Sequence, residues 1–90
     1  MAYLITCTDK KNSLDLRLCT REEHIKYLKK IKKKLILAGP ILNKNDKPIG
    51  TVLILDFERL TDVKKFLNDD PYSKVHLFEN VKIVRFKKVL

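Results

Sequence analysis

Apolar and polar positions follow two different periods along this 90-residue chain, and each period predicts a different kind of element. Residues 2–8, AYLITCT, are rich in β-branched and aromatic side chains and end at the polar cluster DKKNS, which predicts a strand followed by a loop. Thr20 and Glu23 then have the spacing of a capping box, in which each side chain bonds to the other residue's backbone N–H. A helix is therefore predicted to begin at Thr20.

The predicted helix has one apolar face, and a histidine lies on it. At 100° per residue, Leu28, Ile31 and Leu35 all fall within about 40° of His24. The lysines of the run KKIKKK point mostly away from this face, where their ammonium groups stay in water while their stems cover apolar surface. His24 is therefore predicted to be buried.

The second half of the chain repeats the alternation of strands and helices. LILAGP predicts a short strand from about Leu35 to Ala38, stopped by Gly39-Pro40. After the polar loop NKNDKP, the segment IGTVLILDF has an unbroken apolar run, which indicates a strand covered on both faces. A second helix is predicted from Thr61 to about Asn68, then a short helical turn within SKVHLFE and a closing strand, VKIVRFKKV.

The order strand, helix, strand, strand, helix, strand is the split βαβ arrangement of ferredoxin-like domains. We therefore expect an α+β fold in one domain, residues 1–90: a βαββαβ sandwich with a four-stranded antiparallel sheet and its helices on one face. Two helices cover only one face of such a sheet, so the apolar side chains on the other face need a different cover. A homodimer that packs sheet against sheet supplies it most simply.

The formal net charge of +9 would attract nucleic acid, anionic lipid or an acidic substrate. However, sixteen of the 20 basic residues are lysines, which lack the planar fork of arginine, and we favour drift in composition as the cause of the excess. The strand IGTVLILDF, aligned on Gly50, also lacks the three stacking aromatic residues of an RNA-recognition motif. We expect no specific nucleic-acid partner.

Two cysteines, Cys7 and Cys19, are too few for a disulfide framework and have no C-x-x-C spacing, which is typical of a reducing compartment. Residues 1–8 lack the basic segment and the long apolar run of a signal peptide. No apolar stretch approaches the ~18 residues that span a bilayer. We expect a cytoplasmic protein with no membrane partner.

The stretch NDDPYSK, residues 68–74, holds two carboxylates before a proline and has a structural and a chemical interpretation. Pro71 suits the first position of a helix, so Asp70 is predicted to cap the short helical turn beyond it. If the second helix lies beside the first, its end brings Asp70 to the level of His24. A carboxylate bonded to one imidazole nitrogen leaves the other nitrogen as a base, so His24 and Asp70 are candidate catalytic residues.

Other residues near His24 are candidates for binding. Arg17 and Arg21 are half of the chain's arginines, and they are either surface charges or a fork for a carboxylate or enolate.

Other kinds of catalytic site, and a metal site, have weaker support in the sequence. Ser13 and Ser73 lie in polar turns, where serine has backbone roles, so a Ser-His-Asp triad is not favoured. No third ligand has a metal-site spacing with His24; the residues considered are His76, Glu79 and Glu58.

Together these residues resemble the YciI-like proteins of the YCII-related group, over essentially residues 1–90. The resemblance is carried by RLCTREEHIKYL with Arg17, Arg21 and His24, AGP at 38–40, Gly50 before the apolar strand, DPY at 70–72 and the closing FKKV. It implies a ferredoxin-like domain that dimerises through its sheet, with His24 and Asp70 as the site pair. The wider group of such dimers includes cofactor-independent enzymes that act on enolisable or aromatic rings, among them muconolactone isomerases and a dehydrochlorinase. The family often has proline where this chain has Arg85.

These observations lead to one functional hypothesis and one alternative. We expect a homodimeric, enzyme-like protein of lyase or isomerase type, without cofactor or metal, in which His24 and Asp70 move a proton on a small anionic or enolisable organic molecule. Arg17 and Arg21 would steady the negative charge, and a turn at Gly39-Pro40 would let the backbone approach the ligand. The alternative is a non-catalytic ligand-binding or assembly domain in which the pair is structural.

Overall fold

The computed structural model describes all 90 residues and confirms the α+β, ferredoxin-like βαββαβ sandwich. The elements are β1 Ala2–Asp9, α1 Leu14–Lys29, a 3₁₀ turn Lys32–Lys34, β2 Leu35–Leu42, β3 Pro48–Leu55, α2 Leu60–Asp69, α3 Pro71–Lys74 and β4 Phe78–Phe86. Four antiparallel strands form one sheet in the order β2-β3-β1-β4, and the helices cover one of its faces. The short third helix, α3, directly follows α2.

The hydrophobic core lies between the helices and the two central strands. Alternate residues of β1 and β3 point into it, and they meet the apolar faces of α1 and α2. Within α1, the buried residues recur at helical spacing and three of the four are polar or charged, so the predicted burial of His24 and Leu28 on one face is confirmed. The buried residues of α1 are Arg17, Thr20, His24 and Leu28.

The predicted start of the first helix is wrong by six residues. α1 begins at Leu14 rather than at Thr20, and Asp15 lies in its first turn, where a carboxylate is favourable. The capping-box match at Thr20 lies inside the helix, and the Thr20 hydroxyl donates instead to the carbonyl oxygen of Leu16, at 2.8 Å. As a result, Arg17 belongs to the helix and shares its buried face.

The predicted end of the second strand is also wrong. β2 continues through Gly39-Pro40 to Leu42, and Pro40 pairs with Thr51 of β3. Proline is tolerated here because β2 is an edge strand, whose outward side needs no donor. The chain instead turns at residues 43–47, where the Asn43 side chain accepts from the backbone N–H groups of Asn45 and Lys47. β4 begins and ends three residues earlier than VKIVRFKKV.

The sheet face opposite the helices is open in the single chain. Residues that alternate with the core positions of β1 and β3 point to it, and most are apolar and only half buried. Homodimerisation through this face stays a prediction. The side chains on this face include Leu4, Thr6, Leu37, Ile41, Val52, Ile54, Val84 and Phe86. None of the helices has the length and apolar composition that crossing a membrane requires.

Candidate functional site

A cavity of about 220 Å³ lies between α1 and the strands β2 and β3, with Tyr72 of α3 in its wall. Its lining is largely apolar, with a few polar groups, which is the usual composition of a small-molecule site. Five of the six predicted site residues line it: Arg17, Arg21, His24, Gly39 and Pro40. Asp70 is 1% exposed and contacts His24 instead of the cavity.

His24 and Asp70 form the predicted pair. Nδ1 of His24 lies 2.9 Å from one carboxylate oxygen of Asp70 and 3.0 Å from the other, and both side chains are buried. An ionised carboxylate only accepts hydrogen bonds, so Nδ1 must carry the proton and the lone pair of the neutral ring is on Nε2. Nε2 has no hydrogen-bond partner in the chain. Every polar side-chain atom that is closed to solvent does have a partner, so Nε2 must be accessible, and His24 lines the cavity.

The local chain path explains why Asp70 lies at this point. Asp70 is extended, with φ −63° and ψ 131°, because it joins the end of α2 to Pro71 at the start of α3. Its carboxylate also accepts from the backbone N–H of Tyr72, at 2.9 Å, so the predicted capping role is confirmed. This cap fixes the orientation of the carboxylate, which therefore approaches the imidazole in one geometry.

Tyr72, which sequence reasoning did not single out, is a central part of the site. Its ring stacks on the imidazole of His24 with centroids 4.0 Å apart and planes 20° apart. The guanidinium carbon of Arg17 lies 4.6 Å from the centre of the same ring. The DPY motif contains Tyr72, but its stacking on His24 depends on how α3 packs against α1. Tyr72 thus holds two of the predicted site residues in place.

Arg17 is already paired within the chain. It donates to Asp9, from Nε at 2.6 Å and from Nη2 at 2.8 Å, and Nη2 also donates to the hydroxyl of Thr51 at 2.7 Å. Burial alone would lower the pKa of Arg17, but the hydrogen bond and charge of Asp9 raise it above its usual value. Arg21, one turn further along α1, is exposed and has no ion pair. Arg21 is therefore the unpaired cation of the cavity wall.

Gly39 and Pro40 contribute strand backbone and a proline ring to the cavity wall. Neither belongs to a turn, and no glycine has a positive φ. A Cβ atom added at Gly39 would meet nothing within 4 Å, so the fold itself does not require glycine there. Their predicted role in ligand approach therefore stays a prediction.

The remaining reactive groups of the chain lie apart from this arrangement. Cys7 is buried beneath it, and burial, with a smaller contribution from Asp70, raises the pKa of its thiol to about 12. No group of three or more histidine, cysteine, aspartate or glutamate side chains is placed to hold a metal ion. The polar side chains that line the cavity are the imidazole of His24, the guanidinium groups of Arg17 and Arg21, the hydroxyl of Thr51 and the phenol of Tyr72.

Comparison with known sequences confirms the family resemblance. Residues 1–87 match the model of the YCII-related domain. An uncharacterized protein of Haemophilus influenzae is 34% identical over 97 aligned positions, which cover 99% of each chain. Protein YciI of Escherichia coli is 33% identical with the same coverage.

Solved structures include one that is similar in both fold and sequence. A 5-chloro-2-hydroxyhydroquinone dehydrochlorinase from Burkholderia phenoliruptrix, in complex with 2,5-dihydroxybenzoquinone, has a TM-score of 0.90 and 30% identity, over 97% of this chain and 94% of that one. An antibiotic biosynthesis monooxygenase has a TM-score of 0.58 and 12% identity over the full length of both chains, a likeness of fold alone.

Proposed function

We propose that this chain, which belongs to the YCII-related domain family, is a small acid–base enzyme of lyase or isomerase type. His24, oriented by Asp70, moves a proton on a small anionic or enolisable organic molecule bound in the cavity. The observation that carries the proposal is the pairing of Nδ1 of His24 with both oxygens of Asp70, at 2.9 Å and 3.0 Å, which leaves Nε2 unpartnered in the cavity wall.

The ligand class follows from the size and charge of the cavity. A volume of about 220 Å³ suits a molecule with a single ring. Arg21 is the cation that would pair with a negative ligand, because the charge of Arg17 is balanced by Asp9. The dehydrochlorinase that shares 30% of its sequence with this chain binds a dihydroxybenzoquinone, which supports a hydroxylated ring as the first probe.

Proton transfer is measured with 2,5-dihydroxybenzoquinone in D₂O, by NMR of the exchange of its ring hydrogens. These exchange when a proton is added to and removed from a ring carbon, which is the step assigned to His24. We expect exchange to be faster with the protein than in buffer alone. His24→Asn should lower the rate of the catalysed exchange about 10²-fold or more, a typical contribution of general acid–base catalysis. Asp70→Asn should retain binding and lower the rate less.

His76→Asn is the matched control, because His76 is exposed, has no part in the cavity, and has a φ of 58° that asparagine adopts readily. Circular dichroism of each variant checks that the fold is retained. Exchange by His24→Asn at the wild-type rate would contradict the proposal. Tight binding with no exchange in any variant would favour a non-catalytic ligand-binding domain, in which Asp70 serves as the cap of α3.

We further propose that the working form is a homodimer in which the open faces of two sheets pack together. The support is the apolar composition of that face, where Leu4, Val52 and Ile54 lie half-buried on the two central strands of the sheet. A cytoplasmic location is proposed as well, because Cys7 and Cys19 are both free thiols, which is typical of proteins kept in reducing conditions.

A further inference from the structure

We infer that the hydroxyl of Tyr72 is a second ligand-contacting group of this site, a donor to the oxygen on which negative charge develops when His24 takes a proton. The inference rests on the proposed function, because it needs the ligand to bind beside His24. It assigns the tyrosine a role beyond holding the imidazole: the proton moves to Nε2 of His24, while the phenol keeps its own proton and stabilises the oxyanion.

The ring of Tyr72 is held in place, so its hydroxyl has a defined position. The side chain is 2% exposed, stacks on His24 at 4.0 Å and lies 4.6 Å from the guanidinium carbon of Arg17. Phe78 adds an edge contact, with centroids 5.9 Å apart. A donor that is fixed before the ligand arrives loses little freedom on binding, which is the property that makes such groups effective.

The Tyr72 hydroxyl has no hydrogen-bond partner in the chain, although almost all of the residue is buried. Every polar side-chain atom that is closed to solvent has a hydrogen-bond partner, so the Tyr72 oxygen must be accessible, and Tyr72 lines the cavity. Tyr27 shows the contrast: its hydroxyl donates to the carbonyl oxygen of Phe66 at 2.6 Å. The Tyr72 hydroxyl is thus a buried donor without a partner in the chain, and a ligand in the cavity is placed to accept its hydrogen bond.

The electrostatic surroundings keep this phenol protonated. Burial raises the pKa of the Tyr72 hydroxyl, and the charge of Arg17 opposes that effect only in part. Near neutral pH the group therefore donates a hydrogen bond and does not compete with His24 as a base. With Nε2 of His24 as acceptor and Tyr72 as donor, one wall of the cavity offers both groups that enolisation requires.

The test uses the small number of tyrosines in the chain, which are Tyr3, Tyr27 and Tyr72. Protein labelled with ¹³C at the ζ carbon of tyrosine gives one signal for each residue, assigned with single Tyr→Phe variants. On addition of 2,5-dihydroxybenzoquinone we expect the Tyr72 signal to shift, because its oxygen gains a charged partner, while the Tyr3 and Tyr27 signals stay in place. A Tyr72 signal that does not move at saturation overturns the inference.

The second measurement is the affinity of Tyr72→Phe for the same quinone, by visible-absorbance titration. The variant keeps the stacked ring and loses only the hydroxyl, so we expect unchanged thermal stability and roughly a tenfold or greater loss of affinity, as for one hydrogen bond to a charged group. Tyr3→Phe is the control, since the phenol of Tyr3 is also without a partner and does not line the cavity.

The outcomes separate this inference from the proposal on which it rests. If His24→Asn loses proton exchange while Tyr72→Phe binds and exchanges as the wild type does, the inference is wrong and the proposed function stands. If the wild type neither binds the quinone nor exchanges its hydrogens, both are wrong for this ligand class. Loss of affinity in Tyr3→Phe equal to that in Tyr72→Phe would also overturn the inference, because the effect would not come from the cavity.

Discussion

Asp9 accepts two hydrogen bonds from the guanidinium of Arg17, at 2.6 Å and 2.8 Å, and both side chains are almost closed to solvent, at 5% and 4% exposure. The pair joins the last residue of β1 to the second turn of α1, and Thr51 of β3 adds a third contact. One wall of the candidate site is therefore built on a buried, bidentate ion pair. Such a pair fixes geometry even where its net contribution to stability is small.

Removing one member of this pair should destabilise the chain strongly. In Arg17→Met the carboxylate of Asp9 stays buried without its partner, and we expect a loss of about 3–5 kcal/mol in the free energy of unfolding. The double variant Asp9→Asn/Arg17→Met should lose less than the sum of the two single variants, because no unpaired charge remains. Urea unfolding of the four proteins gives the coupling energy.

The exposed pair of Arg59 and Asp62, 3.5 Å apart, is the control for this cycle. Arg59→Met should change the free energy of unfolding by no more than about 0.5 kcal/mol, since exposed ion pairs contribute little. Equal losses in Arg17→Met and Arg59→Met would show that the Arg17 pair behaves as a surface contact.

The pairing of His24 with Asp70 was predictable because its signals are local. Helical spacing places His24 on the same face as Leu28, and the Asp-Pro step marks the end of one helix and the cap of the next. Only one assumption about tertiary structure was needed, that the two helices lie side by side. The ferredoxin-like order of elements supplies that assumption.

The partner of Arg17 was not predictable in the same way, because it depends on where the helix begins. A helix that begins at Thr20 leaves Arg17 outside it, as a surface charge or a fork for the ligand. Extending the buried face of His24 back by seven residues would have included Arg17, and a buried arginine demands a carboxylate. The continuation of β2 through Pro40 could not be predicted for a related reason. Proline usually ends a strand unless the strand is at the edge of a sheet, and only the tertiary structure shows which strands lie at the edge.

The two glycines of the chain should respond differently to alanine. A Cβ at Gly50 would overlap the carbonyl oxygen of Cys7 in the neighbouring strand and lie 3.2 Å from Cδ1 of Ile41, whereas a Cβ at Gly39 meets nothing. Because the Cys7 carbonyl is fixed within the sheet, we expect Gly50→Ala to lower the free energy of unfolding by about 2 kcal/mol or more. Gly39→Ala should stay within about 0.5 kcal/mol of the wild type.

Urea unfolding measures both variants. Gly39 pairs with Val52 of β3, so a Cβ added at Gly39 points to the open face of the sheet and not into the cavity. Gly39→Ala should therefore keep its affinity for 2,5-dihydroxybenzoquinone as well as its stability. A loss of stability in Gly39→Ala equal to that in Gly50→Ala would contradict the steric explanation.

The proposed dimer makes a prediction about mass. Light scattering of the wild type should give twice the chain mass of 10.6 kDa. Ile54→Lys places a charge on the open face of β3, which the proposed dimer would bury in an apolar interface, so this variant should be monomeric. Val81→Lys is the control, because Val81 pairs with Cys7 and so belongs to the other face, where it is already 40% exposed. A wild type with only the single-chain mass would contradict the dimer.

The buried thiol of Cys7 should make the fold sensitive to alkaline pH. Burial raises its pKa from 9.0 to about 12, so above pH 9 the unfolded chain loses a proton that the folded chain retains. The stability linked to Cys7 is therefore complete below pH 9 and is lost as pH rises towards 12, by up to about 1.4 kcal/mol for each pH unit. We expect the free energy of unfolding to fall less steeply between pH 9 and 11 in Cys7→Ala than in the wild type. Cys19→Ala, at an exposed position, should match the wild-type slope, and parallel slopes for all three proteins would contradict the effect of burial.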